Sequence, residues 1–519
     1  MSFRLLKSTS VVGGMTLVSR IMGLARDMVF SRLFGAGPIM DAFFVAFKIP
    51  NLLRRFFAEG AFSQAFVPVI GEYRANRDEQ ELKQLIAGVS GTLGLVLVVV
   101  TAIGVVAAPV MIMVFAPGFH GEGDRYDLAV QMLRFTFPYI LFISLTGLAG
   151  SILNTFGRFA VPAFTPVLLN LVMIASAIWI VPLLPVPGLG LAVGVFLAGV
   201  AQLAFQVPFL ARMGLLVRPR WQPKLEGVRR IGKLMLPAIF GSSVAQINIL
   251  VDTVIASFLQ AGSISWLYYS DRMMEFPLGV FGIALATVIL PGLSRNHARA
   301  ESQNFSATLD WALRLTLMIA VPAAVGLFVL AGPILVTVFF GGAFDARDVA
   351  MAELSLQAFA LGLMGFSLVK VLAPGYFARQ DTRTPVRFGV IALVTNASLN
   401  IILVIVLTRW DYPAPHAGLA FATGVAALLN AFLLFRGLRR ADVLRLAPGW
   451  GRWLLMLTLG NVAMVLVLQY LLPSSEMWMQ WHSLERVANL TILILAGAAT
   501  YLLALWLSGV RPRHLHMHS

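Results

Sequence analysis

The chain contains no cysteine in 519 residues, so it has no disulfide, no thiolate metal site and no cysteine nucleophile. Charge is scarce too. Asp, Glu, Lys and Arg make up 12% of the chain, about half the share found in a soluble domain. No Gly-x-x-x-x-Gly-Lys-[Ser/Thr] phosphate loop occurs, which excludes ATP hydrolysis by that fold. A His-Glu-x-x-His helix and a Gly-x-Ser-x-Gly elbow are absent as well. The sequence therefore does not read as an enzyme. What it has in quantity is apolar surface, at 59% of residues. The expected fold class is an all-α polytopic membrane protein.

Apolar segments of about 20 residues or more recur along the whole length. The first seven are residues 9–34, 41–70, 85–115, 129–153, 159–183, 189–213 and 231–259. The second seven are 265–293, 309–338, 349–374, 385–407, 416–435, 453–472 and 484–507. These predict about fourteen transmembrane helices. The basic opening is followed by an apolar run holding Arg20, Arg26 and Asp27, so it reads as a retained first helix rather than a cleaved leader.

Loop charge predicts the orientation. With the N-terminus cytoplasmic, the loops on that side hold roughly 25 Lys and Arg against about 3 on the other. Both termini are then cytoplasmic. The net charge of +15 mostly records topology, and no nucleic-acid partner is expected. A weak internal repeat pairs Phe156-Gly-Arg158 and Pro162 with Phe377-Ala-Arg379 and Pro385, six spans apart. It predicts two six-helix lobes plus two extra helices: 1–228, 229–440, and 441–519 with its tail. Chance matching of so short a pattern is the alternative.

The charges that stay inside the spans are concentrated. Arg20, Arg26, Arg32, Lys48, Arg54 and Arg55 fall in the first two, Arg272 lies in the eighth and Lys370 in the tenth; Arg32, near a span end, can snorkel. Span 2 is mostly apolar, yet it carries Asp41, Lys48, Asn51, Arg54, Arg55 and Glu59. At about 100° per residue Asp41, Lys48, Arg55 and Glu59 share one stripe, with Asn51 beside it. An arginine at mid-bilayer costs about 2.5–3.5 kcal/mol to insert. Two compensations fit. In one, ion pairs fix helix packing, with Asp27 and Asp41 serving Arg26 and Lys48. In the other, the bases outnumber Asp27, Asp41 and Glu59 because an anionic ligand completes them, and arginine's planar fork suits phosphate oxygens. In span 8, Arg272 is flanked by Asp271 and Glu275 and brings an arginine from the second lobe.

A separate polar group lies in spans 7 and 11. Asp252 is a lone intramembrane acid, and Asn396 and Asn400 are i,i+4 neighbours. Their hard oxygens suit Na⁺, Asp252 suits a proton, and hydrogen bonds that pack helices are the equal alternative. No other cofactor is expected.

The run from Asp41 to Pro68 (DAFFVAFKIPNLLRRFFAEGAFSQAFVP) closely resembles the MurJ (MviN-type) lipid II flippases of bacterial cell-wall synthesis. So do Ser19-Arg20, Ala25-Arg26-Asp27, the stretch 269–277, and Leu372-Ala-Pro-Gly-Tyr-Phe-Ala-Arg379-Gln-Asp381. The resemblance implies the fold of the multidrug/oligosaccharidyl-lipid/polysaccharide exporter superfamily, with helices 13–14 forming a groove for a polyprenyl tail. It also implies movement of undecaprenyl-diphosphate-linked disaccharide-pentapeptide across the inner membrane. Its implied partners are lipid II, membrane lipids and the cell-wall synthesis machinery. The family's cavity arginines match Arg20, Arg26, Arg54 and Arg272, and further transport positions match Ser19, Asp41 and Glu59. Some members bind Na⁺ between helices 7, 11 and 12, where Asp252, Asn396 and Asn400 match. Asparagines stand here where an acid would bind more tightly. A cation-coupled multidrug exporter of the same superfamily is the main alternative, and it calls for acids in the cavity. A polyprenyl-phosphate transferase would need clustered carboxylates on a loop, and a cell-wall scaffold would tolerate substitutions in the cavity.

Overall fold

A computed structural model describes residues 3–54, 61–121, 124–298 and 302–510, and these fall into two compact units, Met1–Gly262 and Ser263–Ser519. Glu59 and Arg55, both candidates from span 2, lie outside the described residues. Among those described there is no strand.

Among the described residues unit 1 holds ten α-helices: α1 (Phe3–Phe34), α2 (Pro38–Arg54), α3 (Ala61–Asn76), α4 (Glu79–Val106), α5 (Ala108–Phe115), α6 (Arg125–Thr136), α7 (Tyr139–Thr155), α8 (Ala160–Ala175), α9 (Pro187–Arg212) and α10 (Glu226–Ser257). Unit 2 holds α11 (Ser263–Ala298), α12 (Ser302–Val329), α13 (Ala331–Val338), α14 (Ala346–Phe377), α15 (Arg383–Arg409), α16 (Ala417–Arg440), α17 (Trp450–Leu471), α18 (Ser475–Gln480) and α19 (Ser483–Leu507). The units divide one helix later than the 228/229 boundary read from sequence, because α10 packs on α3 within unit 1.

Ten helical spans among the described residues are long and apolar enough to cross a bilayer by length and composition. They correspond to spans 3–6 and 9–14 of the fourteen expected. The four left out, spans 1, 2, 7 and 8, carry every candidate site residue except Asn396 and Asn400. Several spans are also broken. Span 3 divides into α4 and α5 just before Pro109, and span 4 divides into α6 and α7 at Pro138. Proline lacks the N–H that would continue the ladder, so these breaks follow from sequence.

Apolar clusters hold each unit. In unit 1, Phe62 and Phe66 of α3, Leu85 and Ile86 of α4, and Leu148 and Ile152 of α7 are buried together. In unit 2, Leu309 and Leu313 of α12 meet Leu372 of α14 and Leu434 of α16. Helices in lipid gain little from the hydrophobic effect, so close contact between small residues matters more. Gly362 of α14 faces Gly424 of α16, and a Cβ on Gly362 would lie 2.6 Å from the Gly424 Cα. A side chain there would force the tightest helix pair of unit 2 apart.

Asp381, next to α15, accepts the Thr384 N–H at 3.0 Å. That bond holds its carboxyl below the usual aspartate range and satisfies one free donor of the helix start. Asp381→Ala should lower stability by about 0.5–2 kcal/mol. Because the folded-state pKa is depressed, the native chain should hold this contribution above about pH 4 and lose it as the pH falls further. Thermal unfolding in detergent against pH checks both points.

Candidate functional site

Helix α2 is buried along most of its length, from Met40 to Phe47. It continues through Pro50 to Arg54. Pro50 cannot donate to the carbonyl of Ala46 four residues earlier, and an unmet carbonyl inside a membrane protein is costly. The Thr136 hydroxyl of α6 donates to that oxygen at 2.8 Å, from a side chain with 0% exposure. The carbonyl freed by Pro50 is thus satisfied from outside the helix. In the last turn Asn51 Oδ1 accepts Arg54 Nε at 3.0 Å and orients the guanidinium.

Before the kink, Asp41 is fully buried and accepts the Gly262 N–H at 2.7 Å. Gly262 has φ +98°, a left-handed turn that favours glycine. The same carboxylate oxygen lies 3.7 Å from Nη1 of Arg125, itself buried and stacked 4.8 Å over the Phe119 ring. The ion-pair alternative for span 2 offered Lys48 as the partner of Asp41 and did not include Arg125. Arg125 was legible only as the single Lys or Arg in the otherwise acidic stretch 118–127.

Lys48 Nζ donates to Thr253 Oγ1 of α10 at 2.8 Å, while that hydroxyl donates to the Ile249 carbonyl. One turn further, Ser257 Oγ accepts the Gly118 N–H at 3.0 Å. A Cβ on Gly118 would lie 2.4 Å from the Ser257 backbone, so this approach requires glycine. The end of α10 is therefore stitched to α2 and to the α5–α6 connection. At its other end Arg230 pairs with Glu72 of α3 at 2.7 Å, in a solvent-exposed bridge. Asp252, beside Thr253, is half-buried on the same helix.

On α1 the two predicted cations have different environments. Arg26 is buried and curls back on its neighbour, with Nε and Nη2 at 3.0 and 2.7 Å from Asp27 Oδ1. Its guanidinium also lies 5.7 Å over the Phe30 ring. The ion-pair reading thus holds for Arg26, although the partner is on the same helix. Arg20 is exposed and has no carboxylate at salt-bridge distance among the described residues. Asn170 of α8 donates to the Ser19 carbonyl at 3.2 Å and holds that turn in place.

In unit 2, α11 docks on α14 through Trp266 Nε1 to Asp348 Oδ1 at 2.8 Å and Ser270 Oγ to the Ala352 carbonyl at 2.7 Å. Tyr269 is buried against Phe339 and Phe344. These contacts leave Arg272 half-buried on another face, 3.4 Å from the exposed Glu275 carboxylate.

Asn396 and Asn400 are buried on α15, and Thr423 of α16 donates to Asn396 Oδ1 at 3.4 Å. This bond fits the packing alternative. The oxygens suit an alkali cation by type, but the pair supplies no negative charge. Among the described residues no cluster of three His, Cys, Asp or Glu could hold a metal.

Two outcomes follow from buried groups that cannot reach water. Thr136→Val removes the donor to Ala46 at nearly constant volume and should cost about 1–3 kcal/mol, with Thr136→Ser much milder. Removing the Asp27 carboxylate by Asp27→Ala leaves a buried guanidinium without its counter-charge and should cost about 3–5 kcal/mol. Both are read from unfolding midpoints in one detergent.

The model of the family described as "Lipid II flippase MurJ" matches residues 30–490. A probable lipid II flippase MurJ of Vibrio cholerae serotype O1 is 49% identical, covering 99% of this chain and 98% of that protein. A lipid II flippase MurJ of Burkholderia cenocepacia is 41% identical, with 98% of each covered. Among solved structures, a lipid II flippase MurJ in an inward closed conformation superposes with TM-score 0.78 and 27% identity, covering 95% of this chain and 97% of that one. An inward-facing multidrug resistance MATE family transporter of the MOP superfamily reaches TM-score 0.65 at 13% identity, covering 82% and 95%, and shows a shared fold alone. With a family match along most of its length and relatives this similar end to end, the chain belongs to the MurJ lipid II flippase family.

Proposed function

We propose that this protein moves lipid II, undecaprenyl-diphosphate-linked disaccharide-pentapeptide, from the cytoplasmic to the periplasmic leaflet of a bacterial inner membrane. Membership of the family supports the substrate. The single observation that carries the mechanism is the setting of its intramembrane bases. Arg20 is exposed on α1, Arg54 is half-buried at the end of α2, and Arg272 is half-buried on α11. Each is a guanidinium that water or a ligand reaches, inside a chain that crosses the bilayer. Forked, charge-assisted hydrogen bonds to a diphosphate offset the cost of holding such charges there. Arg26 is matched by Asp27 on its own helix and is not counted among the bases that grip the ligand.

The cycle is alternating access. The head group enters from the cytoplasmic side, pairs with Arg20, Arg54 and Arg272, and leaves on the other side while its tail remains in lipid. The stitched end of α10, through Asp41, Lys48 and Ser257, is the closure on the periplasmic side. In this orientation both termini are cytoplasmic. No acid–base or nucleophilic step is involved, and the chain acts as a transporter and not as an enzyme. An inside-negative potential assists, since moving two negative charges outward gains about 4–5 kcal/mol per 100 mV if they are not neutralised on the way. Asp252 is the one acid in the candidate Na⁺ set with the neutral Asn396 and Asn400, so on this reading a coupling Na⁺ is secondary to the membrane potential.

Export of lipophilic cations is the rival that the MATE-like fold brings forward. It asks for acids where this chain presents arginines.

A leaflet-sidedness assay in vesicles decides between these readings. Arg54→Ala should reduce translocation of the lipid-linked precursor to background in protein that inserts and unfolds like the parent. The parent's rate should follow the membrane potential and not the Na⁺ gradient. Normal flipping by a well-folded Arg54→Ala protein would remove Arg54 from the mechanism.

A further inference from the structure

The last three helices of unit 2, α17 to α19, are joined to the rest of that unit by polar bonds at three levels. At the α17 end, Asp310 of α12 is buried and accepts from Ala447 N at 3.2 Å and from the Trp450 indole N–H at 2.7 Å. It is paired with Arg314 at 3.0 Å, and Arg314 in turn donates to the carbonyls of Ala447 and Pro448. At the opposite end, Arg486 of α19 is buried and donates to the carbonyls of Trp478, Met479 and Phe340. Between them lies a bond that sequence alone does not suggest. Pro322 lies inside α12 and leaves the Met318 carbonyl, four residues earlier, without its helical donor. The Tyr501 hydroxyl of α19 donates to that carbonyl at 2.7 Å. Gly460 of α17 makes room for the tyrosine, since a Cβ there would lie 3.0 Å from the ring.

Apolar contact does little to hold one helix against another inside lipid, where tails are as apolar as leucine. A hydroxyl that meets an orphaned carbonyl is different, because separation leaves a buried acceptor with no water to turn to. We propose that Tyr501 is a positioning residue that tethers the α17–α19 hairpin to the Pro322 kink of α12, so that the hairpin stays one body with unit 2 through the transport cycle. On the lipid-flippase reading, a chain lying along the hairpin then travels with unit 2 and is not released by separation of the hairpin.

The lack of cysteine allows clean labelling. Spin labels at Phe328→Cys on α12 and Leu466→Cys on α17, both exposed positions, report the tether. One narrow distance is expected, unchanged when lipid II and a membrane potential are added. Tyr501→Phe should broaden it and slow translocation roughly two- to tenfold, the effect of one buried hydrogen bond. Pro322→Ala in the Tyr501→Phe background returns an amide donor to Met318, so thermal stability should recover while the distance stays broad and transport stays slow. The inference fails if the parent distance shifts on adding substrate, if Tyr501→Phe leaves it narrow, or if the double variant also recovers distance and rate. A parent protein that moves no lipid II would overturn the flippase reading, and the distances would still decide the tether.

Discussion

Inside a bilayer a polar group must find its partner within the protein, and this one constraint organises both units. Its clearest expression is at the prolines. Pro50 frees the carbonyl of Ala46 and Thr136 meets it; Pro322 frees the carbonyl of Met318 and Tyr501 meets it. In each case a bend that weakens one helix becomes the reason a second helix stays in place. Lost ladder bonds are thereby converted into tertiary contacts between segments 90 and 183 residues apart.

The same constraint sorts the charges. Arg26 with Asp27, Arg125 with Asp41, and Arg314 with Asp310 are bases whose carboxylates the protein provides. Such pairs are weak evidence for stability, since desolvation cancels much of the attraction, but breaking one strands a charge. Arg20 lies at the other extreme, exposed on α1. Arg272 and Arg314 stand between, each with a side chain 25% exposed and a carboxylate in reach. Burial and partner, which residue type alone does not give, thus separate Arg26 and Arg125 from Arg20.

Helix α10 is fastened in two ways that differ in strength. Its Arg230–Glu72 bridge is exposed, in a setting where ion pairs contribute about 0–1 kcal/mol. Its other end is held by Lys48, Ser257 and the turn through Gly262, where most of the participating groups are buried. Apolar packing adds to the exposed bridge at its first end, where Ile231 is buried in the cluster with Phe62, Leu85 and Ile152, so α10 belongs to unit 1 along its length.

The all-helical membrane class, the family and the concentration of charge in spans 1, 2 and 8 were legible in the sequence. Each rests on composition or on a contiguous motif such as DAFFVAFKIPNLLRR. The prolines were legible too, as interruptions. Which acid serves which base was not. Lys48 was one candidate partner for Asp41, and Arg125, 84 residues on, gave no sign that its guanidinium lies 3.7 Å from that carboxylate; Thr136 and Tyr501 gave no local sign of their roles. The physical reason is that a sequence records which groups will be left without partners, while the partners come from helices far along the chain. Only packing decides which side chain reaches them.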